Sequence, residues 1–320
     1  MKLKKIALAV AATLALSSFA ACTDNDQKLS FKDYWEKDSL SGSSAVDEKL
    51  TYKITHEKEV GLDNLPYVLT YGEGTYVTTL KTHSQGYIYS TSLTMPVTYK
   101  YGDDDAYSAT DTVTTEVIFL RSNDGLRPIS STKNVVCHTP STRSGGSSET
   151  CFLYYDYSVV VEYPTEGDAT ATITDKSVEG DPIVKTSSFT ASDKKYSYLD
   201  NELLLLALRA IPSSTTTGSV KVYSPYAKAM QKIDLTFASE TGGEFSYLLN
   251  GEEVKTTITY RPISLTIDDR NPGGTQTAWI AKTSNASNNT YRNMMLKLSV
   301  PLSYSLGNLV YTLSAVDRAN

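Results

Sequence analysis

The chain has 320 residues, 40% hydrophobic and 21% charged, with 23 tyrosines and a formal net charge of −6. After a polar N-terminal stretch roughly 270 residues remain, enough for one large or two small domains with a sizeable core. The acidic balance argues against nucleic acid as a partner, because neutralising phosphates requires clustered Lys and Arg.

At the N-terminus, Lys2, Lys4 and Lys5 precede an apolar run from Ile6 to Leu16 that is too short to span a bilayer. "SFAAC" then ends at Cys22. Ala20 and Ala21 directly before a cysteine resemble the lipobox of bacterial lipoproteins, in which the Cys is acylated and becomes the mature N-terminus. Phe19 stands where that pattern usually has Leu. A plain secretory signal followed by a chance Cys is the alternative. Loss of residues 1–21 leaves 27 Lys+Arg against 36 Asp+Glu, a net charge of −9. By the same resemblance, Thr23 in place of Asp implies the outer rather than the inner membrane. Asp24 and Asp26 resemble the acidic segments of surface-exposed lipoproteins, with a periplasm-facing lipoprotein as the other option. The sequence thus predicts a signal over 1–21, a lipid on Cys22 as the membrane contact, a polar tether over 22–48, and a single β-rich domain over 49–320. Within the tether, Phe31, Tyr34 and Trp35 are expected to dock on the body or at the membrane interface.

From Leu50 the pattern is that of strands. "LTYKITH", "GTYVTTLKT", "GYIYSTSLTMPVTYKY" and "DTVTTEVIFL" are β-branched and aromatic with period two, punctuated by Gly and Asp. "RPISSTKNVVC" and "CFLYYDYSVVVEY" continue the series. Cys137 and Cys151 flank "HTPSTRSGGSSET", and in an oxidising compartment a disulfide closing that loop is the simplest reading. It would contribute about 3 kcal/mol in the chain-entropy model. Two free thiols are the alternative, and the spacing excludes a CxxC or zinc cluster. "GDATATITD" and residues 182–190 read as edge strands or loop.

"DNELLLLALRAIP" breaks the pattern. Asp200 or Asn201 can cap a helix over about 201–211, Glu202 and Arg209 complement its dipole, and Pro212 stops it. Leu203 to Leu208 are apolar at six consecutive positions, so all faces are greasy and the helix must be surrounded. A short, surrounded helix in an antiparallel sheet implies a curved sheet that holds it in its concavity. Leu203, Leu204, Leu206, Ala207, Leu208 and Ile211 would line any gap between the two. Beyond the helix, "GSVKVYS" pairs with "QKIDLTFAS", Asn250-Gly251 marks a type I′ hairpin, and three strands close the chain. The total is about a dozen strands and one helix.

"EVIFLRSNDGLRPIS", "LYYDYSVVVEY", "YLDNELLLLALRAIP" and the segment from "TQTAWIAK" to "VYTLSAV" resemble, in that order, a family of envelope proteins of unassigned function. That family is similar in architecture to the lipoprotein-localisation proteins LolA and LolB and to LppX. The resemblance implies an incomplete antiparallel barrel whose concave side holds acyl chains.

Motifs of catalysis are absent: there is no G-x-S-x-G, H-E-x-x-H or Walker loop. His56, His83 and His138 occur singly, and Asp103-Asp104-Asp105 lacks the spacing of a calcium loop and reads as a charged turn. No cofactor or metal site is expected. The reading is a non-enzymatic outer-membrane lipoprotein that binds an acylated or hydrophobic ligand in the concavity. The rival is a surface structural or glycan-contact lipoprotein with a filled core and function in loops 101–108 and 138–150, because Tyr rings such as those of "YYDY" can stack on sugars.

Overall fold

Alternation of side chains dictates most of the architecture. In the computed structural model, which describes residues 29–31, 47–58, 65–122, 125–141, 146–191, 197–224, 229–267, 275–282, 293–302 and 306–318, strand β1 (Asp47–Glu57) buries Glu48, Leu50, Tyr52 and Ile54 on one face and turns Lys49, Lys53 and Thr55 outward. The same alternation runs through β2 (Val68–Tyr71), β3 (Gly74–His83), β4 (Gly86–Lys100), β5 (Tyr107–Ser122), β6 (Gly125–Pro140) and β7 (Phe152–Glu162). Next come β8 (Ala169–Asp175), β9 (Ile183–Phe189) and the short β10 (Ser197–Leu199). A 3-10 turn (Asn201–Leu203) leads into α1 (Leu204–Leu208). The chain then forms β11 (Thr217–Ser224), β12 (Ala229–Phe237), β13 (Thr241–Leu249), β14 (Glu252–Ile267), β15 (Gln276–Ala281), β16 (Met295–Pro301) and β17 (Asn308–Arg318).

The seventeen strands of the described residues belong to one sheet that forms a barrel with extra strands; 70% of the described residues are in strands and 3% are helical. The mainly β class with one short helix is therefore as expected. From β3 to β9 the sheet is an antiparallel meander, with β2 extending the β3 edge along the far end of β4. β1 lies between β3 and β17, joining the N-terminal meander to the C-terminal strands. β14 is long and changes partners: residues 252–260 pair with β13, residues 263–267 with β12. A short parallel contact of Leu248 and Leu249 with Ala315 and Val316 ties β13 to β17. The β13–β14 hairpin turns on Asn250 (φ 48) and Gly251 (φ 86), the two positive φ angles that a type I′ turn demands.

Several expectations are corrected. Among the described residues there are seventeen strands rather than a dozen, because β2 and β10 are too short to show periodicity and the polar 169–175 and 183–189 segments pair fully, β9 as an edge of that set. The regular helix is shorter than 201–211: it spans Leu204–Leu208, and the chain turns at Arg209 to bury that side chain. The tether ends earlier than residue 48, since Asp47 and Glu48 are already in β1. Leu29 and Phe31 dock on the body, both buried. Gly125 makes room for this: a Cβ there would sit 3.1 Å from the Phe31 ring. Cys22, Tyr34 and Trp35 lie outside the described residues.

The expected Cys137–Cys151 disulfide is not formed; both thiols are buried and free. The β6–β7 register explains why. Cys137 lies opposite Tyr155, whereas Cys151 bonds through its carbonyl to Ser141 N (3.2 Å), four residues further along. Four residues of strand are about 13 Å, against a Cα separation of at most about 7 Å for a bridge. Burial pushes the Cys137 thiol up to about 12, which makes it a poor nucleophile. Both thiols should accordingly react with maleimide upon unfolding without reductant, and a chain that reacts only after reduction would contradict this register.

Candidate functional site

The helix occupies the concavity and is fastened at both ends. Asp200 Oδ1 accepts the Glu202 N–H (2.9 Å), the cap the sequence implied, while Oδ2 accepts from Ser131 Oγ and Tyr163 Oη, both at 2.6 Å. Glu202 pairs with Lys133 of β6 at 3.2 Å. At the other end the Arg209 guanidinium makes a two-pronged pair with Glu48 of β1 (2.6 and 3.1 Å) and donates through Nε to Asn293 O. Asn293 Nδ2 returns a bond to Arg209 O at 2.8 Å. Sequence alone assigned Arg209 to the helix dipole; its partner lies 161 residues away, and no local signal marks it.

Of the six expected wall residues, Leu203, Leu204, Leu206, Ala207 and Leu208 are at most 1% exposed and Ile211 is 8% exposed. They pack against the inner faces of the strands. A cavity of about 30 Å³ remains at the C-terminal end of the helix, touched by Leu208 and Ile211 but not by the other four. That is room for about two or three waters, whereas pockets for drug-sized ligands run to about 300–1,000 Å³.

A different grouping forms at one end of the barrel, where the two loops named by the sequence meet. Tyr101 N donates to Ser148 Oγ (2.9 Å), and Ser148 N donates to Asp104 Oδ2 (3.2 Å). The acidic run 103–105 thus supplies a clasp between loops. No cluster of three or more His, Cys, Asp or Glu suited to a metal occurs among the described residues. Next to the clasp lies His138, opposite Tyr154 in the β6–β7 ladder. Its backbone N–H and its Nδ1 both donate to Asp111 Oδ1 at 2.9 Å. On the other side of the ring, Nε2 faces Tyr107 Oη at 3.4 Å. Asp111 is fully buried. Burial raises its carboxyl above the usual range, although the His138 bonds oppose that shift.

Aromatic rings surround this pair. Tyr107 stacks on Phe152 at 4.7 Å, Phe152 meets the His138 ring at 4.9 Å, and Tyr154 meets it at 5.3 Å. Beneath them Tyr99, wholly buried, donates to His138 O (2.9 Å), and Tyr67 donates to Ser141 O (3.0 Å). Tyr154 itself is 45% exposed. The structure therefore joins His138 to Asp111, two partners the sequence did not connect. His83 and His56 lie elsewhere: His83 accepts from Gln85 N two residues on, and His56 Nε2 lies 2.6 Å from Leu306 O, a partner distant in sequence. The signal available in the sequence was the placement of Tyr107, Phe152 and Tyr154 at the feet of the two loops.

No family model matches the sequence, and no curated protein matches it. Among solved structures, the chain is similar to the crystal structure of a β-barrel-like protein of a domain of unknown function, DUF1849, from Brucella abortus. The identity is 9% and the TM-score 0.46, over 86% of this chain and 98% of that one.

Proposed function

We propose that the chain is a non-enzymatic lipoprotein, held at the outer membrane through Cys22, that contacts glycans at the rim where loops 101–108 and 138–150 meet. The observation that carries this is the ring set Tyr107–Phe152–His138–Tyr154, with Tyr154 exposed beside it. Aromatic faces pack on the apolar C–H faces of sugars, while nearby polar atoms bond the hydroxyls. Tyr107 Oη and the Asp104 carboxylate are suited to that role, with the buried His138 ring supporting Tyr107 from behind. Strands β5, β6 and β7 and the buried Asp111 fix the geometry in advance, which lowers the ordering cost of binding. The acylated-ligand reading has weaker support. Five of the six helix residues expected to line a gap are at most 1% exposed, which leaves no accessible surface on them for an acyl chain.

The test is calorimetric titration of wild type and Tyr154→Ala with a panel of neutral and acidic oligosaccharides. The expected result is binding by at least one class, weakened about tenfold by loss of a contact of ~1.4 kcal/mol. Because Tyr154 is exposed, the melting temperature should hardly change. Absence of binding across the panel, or equal binding by Tyr154→Ala and Phe152→Leu, would remove the proposal.

A further inference from the structure

The small cavity at the end of α1 has a chemistry distinct from that of the rim. Its floor is apolar: Leu208 and Ile211 from the helix side, Phe237, Ile263 and Ile280 from the sheet. Three cations, Arg209, Arg261 and Lys282, line it, and Arg209 is already committed to Glu48. Arg261 is held rigidly. Its guanidinium lies 4.4 Å over the Phe237 ring, and it donates to the Ser213 carbonyl (2.9 Å) and to the Thr215 carbonyl. Both hydrogen-bond partners are neutral carbonyls, so among the described residues no carboxylate is hydrogen-bonded to this fork. Burial accordingly lowers the Arg261 pKa, with the charge of Glu240 opposing it. Lys282 pairs with Glu240. Glu240 therefore pairs with Lys282 and acts on Arg261 through its charge.

We propose that this cleft is a second binding site, for a carboxylate carried on a small apolar group. The apolar stub would displace water from the floor made by Leu208, Ile211, Ile263 and Ile280, and the carboxylate would take the place that Glu240 holds beside Lys282 and Arg261. Pairing of a carboxylate with a pre-oriented guanidinium is the stronger part of the interaction. A cavity of about 30 Å³ restricts the buried part to a few heavy atoms, which excludes a fatty acid tail. Two sources carry this chemistry: a free short branched acid, and the C-terminus of a peptide ending in a small apolar residue.

Saturation-transfer NMR and calorimetry on the full chain with Cys22→Ser, using isovalerate, isoamyl alcohol and a tetrapeptide ending in Val with free or amidated C-terminus, test the site. Saturable binding of isovalerate, with none of isoamyl alcohol, is expected. Arg261→Gln and Lys282→Gln should each weaken it at least tenfold, and Glu240→Gln should strengthen it by removing the internal competitor. Among the described residues the Lys282 side chain pairs with Glu240, away from the carbonyls that hold Arg261, so its variant keeps the test valid if Arg261→Gln unfolds. Tighter binding of the free-acid peptide than of isovalerate assigns the peptide terminus, and the reverse assigns the small acid. Failure of both acids to bind, equal binding of the alcohol or the amidated peptide, or unchanged affinity in Lys282→Gln would overturn the proposal.

Discussion

Arg209→Ala should destabilise the chain by about 3–5 kcal/mol, the usual cost of leaving one member of a buried pair without its partner. Arg209 is 4% exposed, Glu48 is equally buried, and the two share two hydrogen bonds, with Arg318 within 4.0 Å of the same carboxylate. Truncation strands the Glu48 charge and opens the Asn293 contacts as well. Urea denaturation reads the loss as a lower midpoint. The double variant Glu48→Leu/Arg209→Met should recover most of it, because no charge is then left uncompensated. A single variant within 1 kcal/mol of wild type would show that the pair does not hold the helix. Proton linkage gives a second readout. Burial alone would raise the Glu48 carboxyl, but the Arg209 charge and hydrogen bonds outweigh it and hold it below the ordinary 4.5. A carboxyl depressed by folding contributes stability that is complete above 4.5 and is lost as pH falls through the depressed value. The gap between wild type and Glu48→Gln should therefore narrow on acidification below about pH 4.

Leu206→Ala should cost about 2–5 kcal/mol, the range for deleting a leucine from a core that cannot collapse around the gap. Leu206 is 1% exposed, at the centre of α1, and both ends of the helix are pinned by polar contacts to β1, β6 and the segment before β16. Those pins limit how far the helix can settle into the hole, which favours the upper part of the range. Leu205, only partly buried on the same turn, is the internal control: Leu205→Ala should cost clearly less. Equal losses at both positions would mean that the helix does not fill the barrel as described.

The strands were legible because period-two alternation is a local property, and the hairpin at Asn250-Gly251 because positive φ restricts its residue types. The burial of α1 was legible as well, since six consecutive apolar residues leave no face for water. Strand register, in contrast, is set by pairing across the sheet, so the distance between Cys137 and Cys151 could not be read from their spacing, and a bridge was expected that the ladder forbids. The same holds for Asp111 and His138, which are 27 residues apart, and for Glu48 and Arg209. Charged residues within a chain give no local sign of which will be buried together: Arg209 was read as a complement to the helix dipole, His138 as a lone histidine, and Glu48 as part of the polar tether. The candidate rim was half visible: both loops were identifiable, but the clasp of Asp104 and Ser148 that joins them is a tertiary contact.

The most direct test is native mass spectrometry of the full chain carrying Cys22→Ser, which removes the proposed lipid attachment point, purified without detergent and then extracted with organic solvent. A helix that fills the barrel predicts the bare polypeptide mass and no lipid in the extract. A co-purified lipid of discrete mass, absent from the Leu206→Trp variant, would contradict a filled interior and place the ligand beside α1 instead of at the Tyr107–Tyr154 rim.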